Sequence, residues 1–411
     1  MPPTRPRPLP LWAGRTVALI GVIVVALSLR TAVASISPII AEIREDIPLT
    51  NVGIGLLGML PPIFFALSGF VGPLVSRRLG LELAIVVSIV VMTVGHVVRA
   101  ASGSFAVLLV GSALVLMGVG ICNVLLPPVV KRYFPDRIGL VTATYATIMS
   151  ISTAVPSLLA VPVSDSLGWR FSLAIWAALA GVALLPWLVL LGRQRRATAA
   201  RADDLSVVEV PDAALERRLW HSPVAIAIVV TFSVSTINVY ALFAWLPQIL
   251  IDIVGVTPGA AGTLLAVFAI AGLPASIIAP ILVSRLRSPA WIIIAGVVSF
   301  LAGYVGLLVA PQTLTALWVL LLGLGPILFP VCLVLINTRT RTHTGSVALS
   351  GFAQAIGYTI GAFGPLIVGM LHDASGGWSI PLIFLLATTL AAIFGAVVLS
   401  KPAYVEDELA R

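Results

Sequence analysis

The chain has 411 residues, of which 59% are hydrophobic and only 10% are charged, so it is not a water-soluble domain. Its net charge of +8 does not indicate a nucleic-acid-binding protein, because the basic residues are distributed over alternating loops of a membrane protein. The two cysteines, Cys122 and Cys332, both fall in apolar stretches, which argues against a disulfide framework or a metal site. We therefore expect neither a metal nor a cofactor.

Twelve apolar stretches are each long enough to cross a bilayer of about 30 Å as a helix. Helices are the expected form, since backbone polar groups must be paired within hydrocarbon. The start of the chain does not predict a signal peptide, because the apolar stretch that follows is too long and contains Arg30. The fold class is thus an all-α membrane protein, with predicted spans at residues 16–41, 51–76, 82–101, 104–130, 138–163, 170–192, 221–251, 259–284, 289–309, 313–337, 344–371 and 378–400.

The first stretch carries one charge, Arg30, near its middle. A charge at that depth costs about 2.5–3.5 kcal/mol on insertion scales. Because we expect no acidic residue at the same depth, Arg30 predicts a water-filled cavity and a negatively charged or strongly polar ligand. The alternative is that Arg30 pairs with backbone carbonyls and only holds helices together. In a continuous helix, Ala26, Arg30, Ala34 and Ser37 share a face, and their small side chains would leave room for a ligand.

The remaining basic residues predict the orientation of the chain. Three of them, Arg44, Arg99 and Arg170, lie in one set of segments, and the other 20 lie in the alternating set. By the positive-inside rule the set of 20 is cytoplasmic, so both termini are expected inside the cell. Residues 193–220 then form a cytoplasmic linker between two six-helix halves, residues 1–192 and 221–411.

The two halves repeat with an offset of about 208 residues. Pro38 corresponds to Pro247, and Asp165 before Gly168-Trp169 corresponds to Asp373 before Gly377-Trp378. Two parallel six-helix repeats are the arrangement of the major facilitator fold, which binds its substrate between the halves near the membrane midplane. Helices one, four, seven and ten are then expected to line the cavity.

Polar and aromatic side chains near the middle of several spans are candidate partners of Arg30. Each of them has an alternative role in hydrogen bonding between helices. The candidates are Asn123, Tyr145, Asn238, Tyr240, Trp245, Gln354 and Tyr358. We expect a moving contact at Gly361, Gly364 and Pro365, because glycine permits close approach and Gly-Pro permits bending. Arg77 and Arg78 are candidate gating residues in the loop between the second and third spans.

Four segments of the chain resemble a known family. These are Leu29-Arg30 with Ser35-Ile36-Ser37-Pro38, Asn123-Val124-Leu125-Leu126-Pro127, Trp245-Leu246-Pro247, and residues 349–358. Together they resemble the cyanate and 2-nitroimidazole transporter family, a branch of the major facilitator superfamily. In place of the acid that the superfamily usually has before Arg77, this chain has Ser76, which puts the usual inward-side charge lock in doubt.

The resemblance implies a secondary active transporter of the bacterial inner membrane, with cyanate-like anions or planar nitroimidazoles as candidate solutes. We expect alternating access by a monomer that contacts lipid, a small-molecule substrate and no nucleic acid. An enzyme is not expected, since no nucleophile, metal cluster or acid–base pair is evident at depth. Import or export of nitroimidazole-like compounds and an anion channel remain as alternatives.

Overall fold

The computed structural model describes residues 15–198, 218–286 and 288–409. All regular structure in these ranges is helical, and twelve helices are long and apolar enough to cross a membrane, as the sequence predicts. Most of the predicted linker 193–220 lies outside the described residues. The twelve spans and a short C-terminal helix are α1 Thr16–Asp46, α2 Asn51–Leu79, α3 Leu81–Ala100, α4 Phe105–Tyr133, α5 Ile138–Leu167, α6 Trp169–Thr198, α7 Pro223–Val254, α8 Pro258–Arg285, α9 Ala290–Val309, α10 Thr315–Thr338, α11 His343–Ser375, α12 Ser379–Leu399 and α13 Val405–Leu409.

The helix starts follow ordinary capping chemistry. At five of them a hydroxyl side chain accepts a hydrogen bond from the backbone N–H three residues later, which satisfies one of the donors that a helix start leaves unpaired. The five capping residues are Thr50, Ser104, Ser222, Thr257 and Thr342.

α1 is interrupted in its middle, at the position of Arg30. Regular α-helix ends at Ser28 and resumes over Thr31–Ala34, and a 3₁₀ turn follows at Ser37–Ile39. The prediction that Ala26, Arg30, Ala34 and Ser37 share one face of a continuous helix is therefore wrong. α10 is interrupted in the same manner by a 3₁₀ turn at Gly325–Ile327, where Pro326 cannot donate a backbone hydrogen bond.

Side chains take up the carbonyl groups near the break in α1. The Thr31 hydroxyl donates to the Ser28 carbonyl at 3.0 Å, and the Ser28 hydroxyl donates to the Val24 carbonyl at 3.1 Å. One guanidinium nitrogen of Arg99 donates to the Ala32 carbonyl at 3.2 Å. Such pairing is needed in a low-dielectric interior, because an unpaired carbonyl there costs several kcal/mol.

Helices of the first six and of the last six contact each other closely at one end of the described structure. We call this end the far side, because it is remote from Arg15 and Leu409, where the described chain begins and ends. The first turns of α2 cross the last turns of α11 so closely that a Cβ added at Gly55 would lie 2.8 Å from the Leu366 Cα. A Cβ added at Gly262 on α8 would lie 2.6 Å from the Ser157 carbonyl oxygen of α5.

We call the opposite end the termini side. Over their whole lengths, α4 contacts chiefly α2 and α3, and α10 contacts chiefly α7, α8 and α9. In the described part of the chain, contact between the first six and the last six helices is thus made mainly by α2 with α11 and by α5 with α8. These two contacts lie on either side of a central space.

Candidate functional site

A cavity of about 310 Å³ lies at mid-depth between the first and the last six helices. It has room for about ten water molecules at roughly 30 Å³ each, which is within the usual size range of small-molecule sites. Its lining comes from α1, α5, α7, α8, α10 and α11. The interrupted parts of both α1 and α10 face it, through Arg30 on the one helix and Pro326 on the other.

Arg30 is the charged group of this cavity. It is the residue before the short segment Thr31–Ala34, at the break in α1, and its side chain lines the cavity. The guanidinium carbon lies 5.1 Å from the centre of the Phe65 ring, and Tyr240 and Tyr358 line the same cavity as Arg30. Among the described residues that line the cavity, none is a carboxylate. The positive charge therefore faces the open space without a fixed counter-charge there.

Aromatic rings surround the guanidinium. The rings of Phe65, Tyr240 and Tyr358 form a triangle with centroid separations of 6.5, 6.3 and 6.4 Å. All three pairs are tilted or edge-on. Tyr240 and Tyr358 line the cavity, and Phe65 contacts the guanidinium outside the described lining. This arrangement provides both a cation and apolar planar surfaces at one site.

Short hydroxyl side chains supply the neutral polar groups. Ser235 on α7 lines the cavity, and its hydroxyl is fully buried without a hydrogen-bond partner in the structure. Thr236 and Thr153 also line it, but their hydroxyls donate to the Gly357 carbonyl at 2.7 Å and the Met149 carbonyl at 3.0 Å. Sequence reasoning missed Ser235, because serine is common in membrane helices and carries no signal by itself.

The structure brings together three of the predicted site residues, namely Arg30, Tyr240 and Tyr358. The other five lie outside the described lining of the cavity. Of these, Asn123 and Tyr145 are half-buried on α4 and α5, and the Gln354 amide donates to the Ser350 hydroxyl one turn earlier on α11 at 2.8 Å.

Asn238 and Trp245 pack within the last six helices instead. Asn238 is fully buried, accepts a hydrogen bond from the Tyr304 hydroxyl at 2.6 Å and donates to the Val234 carbonyl at 2.8 Å. The Trp245 indole donates to the Pro365 carbonyl at 2.8 Å.

The predicted gating residues of α11 lie where that helix meets its neighbours. A Cβ added at Gly361 would lie 2.5 Å from the Thr236 hydroxyl oxygen, and one at Gly364 would lie 2.8 Å from the Ile237 carbonyl oxygen. Pro365 accepts the Trp245 hydrogen bond on one side and faces α2 on the other. These small residues let α11 approach α7 and α2 closely.

Arg77 and Arg78 are exposed in the last turn of α2, on the termini side. The acid of this region is Glu82 at the start of α3, which is completely buried. It accepts hydrogen bonds from the Tyr133 hydroxyl at 2.7 Å and the Arg132 guanidinium at 3.3 Å. A charged contact thus joins α3 to α4 on this side, although position 76 lacks an acid.

Comparisons with known proteins agree with this fold. The model of the Major Facilitator Superfamily matches residues 19–362. The chain is 30% identical to the 2-nitroimidazole transporter of Escherichia coli (strain K12), over 93% of this chain and 95% of that protein. It is 26% identical to the cyanate transport protein CynX of the same strain, over 88% and 91%.

Among solved structures, the chain resembles a bacterial homologue of the human lysosomal transporter Spinster, with a TM-score of 0.75 and 15% identity over 94% of this chain and 97% of that one. That likeness concerns the fold. With the family match over most of its length and its twelve spans, this chain belongs to the Major Facilitator Superfamily and is a membrane transporter of a small substrate, not an enzyme.

Proposed function

We propose that this protein moves a small anionic or planar polar solute across the bacterial inner membrane by alternating access, with Arg30 as its main binding residue. The observation that carries the proposal is the guanidinium facing a mid-depth cavity whose described lining holds no carboxylate. A bound anion would offset the free-energy cost of keeping that cation away from water. Binding energy of this kind favours solutes that carry negative charge or a strong acceptor group.

Two observations support an arrangement that is open toward the cytoplasm. The far side is closed by the close crossing of α2 and α11, while α4 and α10 pack mainly within their own six-helix groups. The excess of basic residues in the termini-side segments then places that side in the cytoplasm. We take the described arrangement as the state in which the cavity exchanges solute with the cytoplasm, and the first and last six helices as the two moving halves.

The rings of Tyr240 and Tyr358, which both line the cavity, favour a planar solute over a compact one. A flat heteroaromatic ring with a nitro or carboxylate group could place the acceptor oxygens on Arg30 and its ring against these side chains. Cyanate is linear and has fewer atoms than the cavity can hold, so it would bind together with water. The names of the two relatives, a 2-nitroimidazole transporter and a cyanate transport protein, are consistent with both solute types.

The direct test is ligand-induced stabilisation of the purified protein. Cyanate, nitrate and 2-nitroimidazole are titrated in a thermal unfolding assay, since a ligand that binds only the folded state raises its stability. We expect at least one of them to stabilise the wild type, and Arg30→Ala to weaken its binding about 30-fold or more. This estimate follows from the roughly 2–5 kcal/mol lost when one partner of a buried charged contact is removed.

Two further variants make the test specific. Arg30→Lys keeps the charge but not the planar fork of donors, so its affinity should fall between wild type and Arg30→Ala. Arg170→Ala removes an exposed arginine that pairs with Asp46 on the far side, and it should leave ligand binding unchanged. Binding that survives Arg30→Ala would refute the assignment of the site.

A flux measurement separates a carrier from an anion channel. The protein is reconstituted in liposomes that contain the unlabelled solute, and uptake of the labelled solute is followed with time. A carrier exchanges one molecule for another, so uptake should saturate and overshoot by counterflow. Uptake that rises linearly with concentration and is not driven by counterflow would support the channel instead.

A further inference from the structure

A second, much smaller pocket lies beyond the Arg30 cavity, toward the far side. Its volume is about 40 Å³, enough for roughly one water molecule or one polar group of that size. It is enclosed by α1, α2 and α7, so it too lies between the first and the last six helices. Its lining is apolar except for the Ser37 hydroxyl and the side chain of Tyr240.

Ser37 is the feature that marks this pocket as more than a packing defect. Its side chain is only 7% exposed, and its hydroxyl oxygen has no hydrogen-bond partner in the structure. It is the first residue of the 3₁₀ turn Ser37–Ile39, which is the second irregular part of α1. A buried hydroxyl without a partner has lost its hydration without gaining a hydrogen bond in the protein, which is unfavourable. A polar guest in the pocket would remove that cost.

A single layer of side chains separates the two spaces. Val33, Tyr240 and Phe243 line both the 310 Å³ cavity and the 40 Å³ pocket. Tyr240 also lies beside Arg30, since both line the larger cavity and the Tyr240 ring lies 6.5 Å from the Phe65 ring that the guanidinium contacts. A solute bound to Arg30 therefore lies next to Tyr240, the side chain that also borders the smaller pocket.

We propose that the pocket at Ser37 is a second, transit subsite for the transported solute. In this proposal the layer of Val33, Tyr240 and Phe243 is the gate between the cavity and the pocket, and Tyr240 is its movable residue. This inference rests on the proposed function. The subsite would take the leading polar atom of a narrow solute, such as one oxygen of a nitro or carboxylate group. Its small volume selects against solutes with a branched or hydrated leading end.

Cysteine labelling tests this subsite without knowledge of the solute. Ser37→Cys is introduced into a chain in which Cys122 and Cys332 are replaced by alanine, and a small charged methanethiosulfonate is applied to membrane vesicles of either orientation. With Tyr240 intact, the reagent should label Ser37→Cys slowly from the termini side. Tyr240→Ala should raise that rate at least tenfold, because it removes one of the three side chains between the pocket and the cavity.

Further variants distinguish opening of the side-chain layer from misfolding of one variant. Phe243→Ala opens the same layer at a second position and should act in the same direction, so a misfolded Tyr240→Ala protein would not decide the matter. Tyr240→Phe keeps the ring that separates the two spaces, so its labelling rate should stay closer to that of the wild type than to that of Tyr240→Ala. Ser112→Cys is the matched control, since the Ser112 side chain is also buried (3% exposed), its hydroxyl also has no partner, and it lies outside both lined spaces.

The outcomes separate this proposal from the proposed function. If neither Tyr240→Ala nor Phe243→Ala changes the labelling of Ser37→Cys, or if Ser112→Cys responds equally, the transit subsite is refuted while binding at Arg30 stands. If labelling behaves as expected but Arg30→Ala still binds its ligand normally, the Arg30 site is wrong and the connection between the two spaces remains. Correct folding of each variant is checked by its elution as a single species on size-exclusion chromatography.

Discussion

At the scale of single residues, Arg30 is held in place by a second arginine. Arg99 on α3 is completely buried, and its guanidinium donates to the Ala32 carbonyl and the Ser35 hydroxyl, both at 3.2 Å. These two acceptors lie in and directly after the segment Thr31–Ala34 that Arg30 precedes. Arg99 therefore fixes the interrupted part of α1 against α3 and, with it, the position of Arg30.

Removing one of these acceptors should destabilise the protein measurably. Ser35→Ala takes a hydrogen-bond partner from a buried cation, and such bonds contribute about 1.5–3 kcal/mol. We expect a lower unfolding temperature and weaker ligand binding in the thermal unfolding assay. Ser166→Ala is the control, because that exposed hydroxyl bonds only within its own helix and should change stability by about 0.5 kcal/mol or less. Equal effects of the two substitutions would contradict the anchoring role.

The contrast among site residues shows what can be read from the sequence. Arg30 was detectable because a charge at mid-span is costly and therefore rare. Asn238 and Trp245 belong to a real stripe on α7, but the stripe faces Tyr304 and Pro365 within the last six helices. Helical periodicity shows which residues share a face, but only the packing shows which way that face points. For the same reason Ser235, on the cavity side of α7, was not predicted.

At the scale of helices, α13 links the termini-side starts of α7 and α11. Glu406 accepts hydrogen bonds from the backbone N–H groups of Arg341 and Thr342 at 3.0 and 3.1 Å, at the start of α11. Glu408 accepts a hydrogen bond from the Val224 N–H at 3.2 Å, at the start of α7. Both carboxylates thus lie at helix N-termini, where negative charge is favoured.

This contact predicts a dependence of stability on pH. Burial alone would raise the pKa of Glu406, but the hydrogen bonds from the Arg341 and Thr342 N–H groups hold that pKa below its ordinary value. A carboxylate with a lowered pKa stabilises the folded state at neutral pH and loses this effect as the pH falls through its folded-state pKa. We expect Glu406→Gln to lower the unfolding temperature at pH 7, and the difference from wild type to shrink below about pH 4, near the ordinary glutamate pKa.

The comparison needs a control for general acid effects. Asp407→Asn changes an exposed carboxylate of the same helix whose ion pair with Arg341 lies at the surface, and it should change the pH profile of stability less than Glu406→Gln does. If the difference in unfolding temperature between Glu406→Gln and wild type stays constant from neutral to acidic pH, the negative charge of Glu406 does not contribute to stability.

Helices differ in how well their sequences predict them. The twelve spans follow from hydropathy, because bilayer thickness sets a minimum length of apolar sequence. α13 has only five residues, three of them acidic, and its helical state depends on the helix ends that it caps. The interruption of α1 at Arg30 was equally hidden, since neither glycine nor proline occurs at that point. Its carbonyl groups are satisfied from α3 and from neighbouring hydroxyls, which are contacts that periodicity does not contain.

At the scale of the whole molecule, alternating access requires the far-side contact of α2 with α11 to separate. Besides the glycine contacts, Asn51 at the start of α2 donates a hydrogen bond to Asp373 at the end of α11. Gly58 of α2 also faces Ala244 of α7, at the edge of the Ser37 pocket. Opening this side therefore exposes that pocket to the far-side solution.

Gly55→Ala should shift the balance toward the far-side-open arrangement. The added Cβ would lie 2.8 Å from the Leu366 Cα and 3.0 Å from the Pro365 carbonyl oxygen. Because these are backbone atoms, no side-chain rotation relieves the clash, and overpacking of this kind costs about 1–3 kcal/mol. A shift of that size changes the ratio of two conformations about 5- to 150-fold.

Far-side labelling of Ser37→Cys measures this shift, and α2 itself offers the matched control. Gly69 lies on the same helix, but a Cβ added there would meet no atom within 4 Å. Gly55→Ala should therefore raise the far-side labelling rate, while Gly69→Ala should leave it unchanged. If Gly55→Ala lowers the unfolding temperature without changing the labelling rate, the α2–α11 contact stabilises the fold in all states and is not the seal that opens on the far side.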